Sequence, residues 1–326
     1  MKMKISKAVL AFFAAAGILT ATYAAPITAT FWENKGNVEK QFDNMMNNKI
    51  GEAGFAIMKA NKHIENFYYQ KYKEKGVEFI SFYDIINKKG IRPLLLKNPD
   101  FGAFTPFNFL IYKTLDKKND DYTHYGHLAP EMMLDIIGEK DAATRAEFTK
   151  MINGLDDVVK KTMKPEKTIV FERQHPLQKK TLVKMVKKFD KPDDMDEFIE
   201  DFVMAHDGQF TKHNFIIAGF VDLKFEYGDM DLPFDKYDAY WVSLLCHFQF
   251  SNSIFNRGMP QAGMFAPCSV YFYIPKGKNE LHVGYSSVNN WISGLDFKDP
   301  KRIEYMRKID AEVVQTFKEL GFEMEK

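Results

Sequence analysis

Two hydrophobic periods alternate along the chain. At residues 37–48 and 63–75 apolar side chains recur every three to four positions, as in amphipathic helices. The second of these runs through Ile64, Phe67, Tyr68 and Tyr72, with Gly76 as its stop. Residues 54–60 and 77–83 are apolar runs of strand length. The order recurs further on, with a helix at 193–204 and strands at 215–223 and 237–248. A long closing helix has Asp299 as cap, Pro300 in its first turn and Gly321 as stop. Its apolar stripe is Ile303, Met306, Ile309, Val313, Phe317 and Leu320.

The repetition is explicit at one place. Residues 99–112 and 260–273 align without gaps, with Pro99/Pro260, Gly102/Gly263, Phe104/Phe265, Pro106/Pro267 and Tyr112/Tyr273 identical. Glycine, proline and aromatic residues have the most specific backbone and packing roles, so these identities mark a shared local structure. Each stretch leads into a polar turn (116–121 or 275–279) and a second strand ending at Tyr125 or Tyr285, a Pro-entered β-hairpin. The expected fold is α+β, as two tandem repeats, each an antiparallel sheet with helices packed on one face. The first repeat is expected over 25–159 and the second over 193–326. A charged connector over 160–192, with a short strand at 168–172, joins them.

The order of strand, helix, Pro260-Gln-Ala-Gly-Met-Phe-Ala-Pro-Cys268, strand, charged turn and Val283-Gly-Tyr285 resembles the bacterial "domain of unknown function 302" family. Residues 54–125 look like a more diverged second copy, with Phe107 where the other has Cys268. The resemblance covers about 37–140 and 193–320. It implies a small α+β sheet of the TATA-binding-protein type, with helices on one face and the other face open. It implies no activity, because the family has none established.

The start of the chain reads differently. Lys2, Lys4 and Lys7 precede an apolar run from Ala8 to Thr22, shorter than the roughly 20 residues of a membrane span. Small residues at Thr22 and Ala24 suit a secretory signal peptide over 1–24, cut after Ala24, so the mature protein is expected in the periplasm with no stable membrane span. The whole chain has 45 Lys and Arg against 44 Asp and Glu. Removing the leader takes away three lysines and no acid, leaving no basic excess for a phosphate backbone, so nucleic acid is not an expected partner. Two cysteines cannot build a disulfide framework or a four-thiolate zinc site.

Strand alternation sorts the candidate functional residues. In the second hairpin Cys268, Val270 and Phe272 are expected against the helices, with Ser269, Tyr271 and Tyr273 on the open face. In the strand at 237–248, Tyr240, Val242, Leu244, Cys246 and Phe248 are expected inward, and Trp241, Ser243, Leu245 and His247 outward. The open face would then gather Trp241, His247, Tyr271, Tyr273 and His282, an amphipathic aromatic surface suited to a ligand. The same face could instead form an inter-repeat core. Cys246 and Cys268 would share the inward side. The family's fold makes their approach plausible, as a disulfide, as two separate buried thiols, or as a redox or metal-binding pair. His124 and His127 are expected on opposite sides of a strand end, and His206 and His213 flanking a helix end, where they cap it or face solvent. The methionines are scattered without metal-binding spacing.

No nucleophile elbow, phosphate loop, dinucleotide fingerprint or zinc helix occurs, so no catalytic residues and no cofactor are named. The acidic run Asp193, Asp194, Asp196, Glu197, Glu200 and Asp201 reads as a solvated helix face. The expected function is non-enzymatic binding of an unidentified small molecule or periplasmic protein, on the open face or in the inter-repeat cleft. Thiol-redox or metal handling at Cys246 and Cys268 is the alternative.

Overall fold

A computed structural model describes residues 26–325; the expected signal peptide and its cut after Ala24 lie outside them. The first repeat runs β1 (Ile27–Lys35), α1 (Glu39–Asn48), β2 (Ala56–Asn61), α2 (Ile64–Tyr72), β3 (Val77–Ile86), α3 (Lys88–Lys97), β4 (Phe107–Thr114), β5 (Tyr122–Leu128), α4 (Pro130–Ile136), α5 (Ala142–Met163) and β6 (Lys167–Glu172). The second runs β7 (Leu182–Lys188), α6 (Met195–Lys212), β8 (Phe215–Asp222), α7 (Leu223–Asp229), β9 (Tyr237–His247), α8 (Phe248–Phe255), β10 (Cys268–Pro275), β11 (Glu280–Ser286), α9 (Asn289–Gly294), α10 (Pro300–Glu319) and β12 (Glu323–Met324). Element for element the halves correspond. Their antiparallel sheets have the same order, β2-β3-β4-β5-β1-β6 and β8-β9-β10-β11-β7-β12. The chain is an α+β tandem repeat.

The longest helices form where capping and periodicity coincide. Asp141 accepts the Thr144 N–H to start α5, Asp194 caps α6, and Asp299 caps α10. On α10 the buried residues Met306, Ile309, Val313 and Phe317 lie on one stripe, and Phe317 meets Phe272 of the sheet at 5.9 Å. In the first repeat Trp32, Phe42 and Phe109 pack together between sheet and α1. The acidic side chains of α6 face solvent.

Three strands were not apparent from local pattern: β1, β7 and the two-residue β12. Within the expected connector 160–192, α5 continues to Met163, β6 pairs with β1, and β7 pairs with β11. Only residues 173–181 link the two sheets. β7 lacks a local signal because three of its seven residues are lysines and only β11, far along the chain, completes it.

The duplicated proline–glycine stretch holds the halves together. Pro99–Phe104 and Pro260–Phe265 are short 3-10 turns, and each lies on the other repeat's sheet, on the face away from the helices. A Cβ on Gly102 would lie 2.2 Å from Tyr240 Oη and 2.4 Å from Tyr271 Cβ; on Gly263 it would lie 2.9 Å from Phe82 and 3.0 Å from Leu110. Polar contacts run both ways. Asn108 donates to the Gly263 carbonyl at 2.7 Å, and Ser269 to the Pro106 carbonyl at 3.0 Å. Tyr240 donates to the Pro99 carbonyl at 2.6 Å, and Tyr271 to Asp100, which Lys184 also meets at 2.6 Å. One continuous hydrophobic core therefore crosses both repeats.

Gly102→Ala is expected to lower stability by about 1–3 kcal/mol, because the added methyl overpacks against a backbone-proximal atom and a fixed ring. Gly263→Ala should cost less, since flexible side-chain ends face it. Gly154→Ala, in α5 with nothing within 4 Å of the added carbon, should stabilise by roughly 0.5–1 kcal/mol. Urea midpoints of the three variants check this order; a destabilised Gly154→Ala or a neutral Gly102→Ala would contradict it.

Candidate functional site

The packing of the halves is incomplete at one edge. There β2 and β8, the outer strands of the two sheets, meet, and α2 of the first repeat leans on α8 of the second through Tyr68 and Phe248, whose rings are 5.0 Å apart. Between these four elements is a cavity of about 280 Å3. The first repeat contributes Asn61, Phe67, Tyr68 and Phe82, and the second Ile217, Ala218, Cys246, Phe248 and Phe255. The mouth is apolar and open: Phe67 is 52% exposed and Ile216 47%.

Local chemistry explains why α2 sits there. Glu65 is buried and accepts the Ile80 N–H at 3.0 Å, while Ser81 accepts the His63 N–H at 3.0 Å, so the start of the helix is tied across β3. Ile64, Phe67 and Tyr68 are then one helical turn apart on the cavity side. On β8 the ladder shifts register between Ile217 and Gly219, which bends the edge that Ile217 and Ala218 present.

A polar group stands behind the apolar wall. Asp84 of β3 is buried, with Asn61 Nδ2 3.4 Å from its carboxylate. Burial pushes its carboxyl well above the usual range, against smaller opposing effects of Asn61 and Lys59. The same burial raises the Cys246 thiol to about 11, with Ser251 opposing and Asp84 adding to the rise. Cys246 is a weak nucleophile in this setting.

The open aromatic face predicted from alternation is split by the structure. Tyr271, Tyr273 and His282 do share the face away from the helices. Tyr271 is buried there between the halves, and Tyr273, partly exposed, stacks on His282 at 4.8 Å. Trp241 and His247 lie on the opposite, helix-covered face. Trp241 stacks on Phe272 at 5.0 Å and meets Phe202 of α6; His247 Nδ1 accepts the Phe250 N–H and so caps α8. Burial holds His247 below its usual range. The side sets of β9 are thus exchanged relative to expectation. Both faces of β9 are covered, so large apolar residues fall in both of its side sets and leave no inside–outside alternation to read.

The exchange also separates the cysteines. Cys268 pairs with Leu245 in the ladder and faces the helices, whereas Cys246, the next residue along β9, faces the cavity. Both thiols are free. Burial raises Cys268 to about 12. His206, expected at the surface, is buried against Phe210 and Phe272. His213 faces Glu319 of α10. His124 and His127 do lie on opposite sides, stacked on Tyr112 and paired with Asp156 respectively. The ladders make His124 the counterpart of His282, each opposite its repeat's hairpin tyrosine. No group of three or more His, Cys, Asp and Glu side chains that could hold a metal is found among the described residues.

Sequence reasoning missed Tyr68, Phe82, Ile217, Phe248 and Phe255 as cavity residues. The visible signal was the aromatic surplus on α2, where Phe67 and Tyr69 stay exposed while Tyr68 is buried.

No helix among the described residues is long and apolar enough to cross a membrane. No family model and no curated protein matches the chain. Comparison with solved structures finds a likeness to the crystal structure of an uncharacterized conserved protein DUF302 from Bacillus stearothermophilus, at 12% identity and a TM-score of 0.36. The match covers 41% of this chain and 98% of that one, and the family it names is the one that the Pro-entered hairpin resembles.

Proposed function

We propose that this is an exported binding protein that holds a small, mainly apolar molecule in the cleft between its two repeats. The observation that carries the reading is the cavity of about 280 Å3, walled by both repeats and open through Phe67 and Ile216. Concave apolar pockets with a few polar groups at the interface of two units are the usual form of small-molecule sites. The signal-like start, with Lys2, Lys4 and Lys7 before the run Ala8 to Thr22, supports export to the periplasm. Tyr271 of the aromatic face is buried between the halves and donates to Asp100 of the first repeat.

Titration of the purified protein with the neutral fluorophore N-phenyl-1-naphthylamine tests this. A single saturable enhancement is expected, and Ala218→Trp, which fills the cavity from the β8 edge, should weaken it at least tenfold. Its urea midpoint should stay close to that of the parent. Absence of saturable binding, or equal binding by a folded Ala218→Trp, would remove the basis of the proposal.

Thiol chemistry has a separate test. With burial raising the Cys246 thiol to about 11, alkylation by iodoacetamide at pH 8 should be on the order of a hundredfold slower than for a free cysteine. Cys268, which faces the helices, should label only after unfolding. Rapid labelling of Cys246, or an intact mass showing a Cys246–Cys268 disulfide, would restore the redox reading.

A further inference from the structure

The repeat supplies an internal control for the cavity. Tyr68 and Tyr227 are the fifth residues of α2 and α7, the helices that precede the third strand of their respective repeats. Each reaches toward the other repeat, to the helix that follows its third strand. Tyr227 donates its hydroxyl to the carbonyl of Lys88, the first residue of α3, at 2.9 Å. The corresponding carbonyl for Tyr68 is that of Phe248, the first residue of α8, and there the Ser251 hydroxyl occupies it at 2.9 Å. Tyr68 is fully buried and lines the cavity, and its hydroxyl makes no well-formed hydrogen bond among the described residues; the Ser251 hydroxyl lies beside it but donates to the Phe248 carbonyl.

The two sides also differ in filling. The segment after α7, residues 230–236, is three residues longer than its counterpart 73–76. It places Phe234 on Tyr227 at 4.7 Å and on Tyr240 at 5.8 Å. One side of the pseudo-symmetric pair is therefore packed and satisfied, and the other is hollow with a free donor.

A buried hydroxyl without a partner costs on the order of 1–3 kcal/mol, which an acceptor placed in the cavity recovers. Burial holds the Tyr68 phenol protonated, so it acts as a donor. Phe82, Ile217, Phe248 and Phe255 of the wall disfavour a charged group beside it, and the one cationic side chain of the lining, Lys59, is exposed to solvent.

Resting on the cleft as the binding site, we propose that its ligand is an uncharged, largely apolar molecule with a carbonyl or ether oxygen, which accepts a hydrogen bond from Tyr68.

The test compares acetophenone with α-methylstyrene, the same shape without the acceptor, on the parent protein and on Tyr68→Phe, by calorimetry or displacement of N-phenyl-1-naphthylamine. Tyr68→Phe should weaken acetophenone about five- to tenfold and α-methylstyrene less than twofold. The ligand-free variant should be as stable as the parent or more so. Equal losses for both compounds, or no loss for acetophenone, would overturn the inference and leave the apolar cleft standing. Failure of both compounds to bind the parent would overturn the cleft as well. A clear loss of stability in Tyr68→Phe would show that the hydroxyl has a partner inside the protein, which also overturns the inference.

Discussion

The structure depends on the contact of each Pro-x-x-Gly turn with the sheet of the other repeat. A sheet with helices on one face leaves a second face to be covered, and here the covering is reciprocal. Gly102 lies over Tyr240 and Tyr271, and Gly263 lies over Phe82 and Leu110. No side chain fits at either glycine without displacement. Asn108 and Ser269, at matching places in β4 and β10, then bond to carbonyls of the opposite turn. The two halves are thereby one hydrophobic unit, and neither could keep its open face dry alone.

This arrangement also determines where a ligand can go. Once the middle of the two faces is filled by the turns, only the edges remain, where β2 and β8 meet and α2 and α7 lean across. Duplication would make two equivalent edge sites. Divergence has packed one with Phe234 and Tyr237 and left the other hollow beside Tyr68. The function proposed for the chain follows from that asymmetry rather than from the symmetry.

The interior carries more polar groups than a plain apolar core needs. Most are committed to holding segments in place. Asp100 joins Tyr271 and Lys184, His127 meets Asp156 at 2.9 Å, and Glu65 ties α2 to β3. Asp84 is different, because among the described residues its one side-chain hydrogen-bond partner is Asn61, at 3.4 Å at the cavity wall. A carboxyl pushed up by burial favours its neutral form, so the wall carries little negative charge at Asp84, and Lys59 is the cationic side chain on the lining.

Sequence alone determined the α+β repeat and the Asp299 cap of its closing helix, because periodicity, capping and the Pro99/Pro260 and Gly102/Gly263 identities are local signals. The inward side of β10, with Val270 and Phe272, was legible for the same reason: its partner set contains polar groups. On β9 both faces are buried, so Trp241 and His247 could be assigned a side only by the ladder that pairs Phe272 with Trp241. That one-residue slip also decided whether Cys246 and Cys268 could meet. The cleft was beyond sequence for a further reason. Tyr68 and Phe248 lie 180 positions apart, and the space between them is a property of what does not pack, which no residue pattern records.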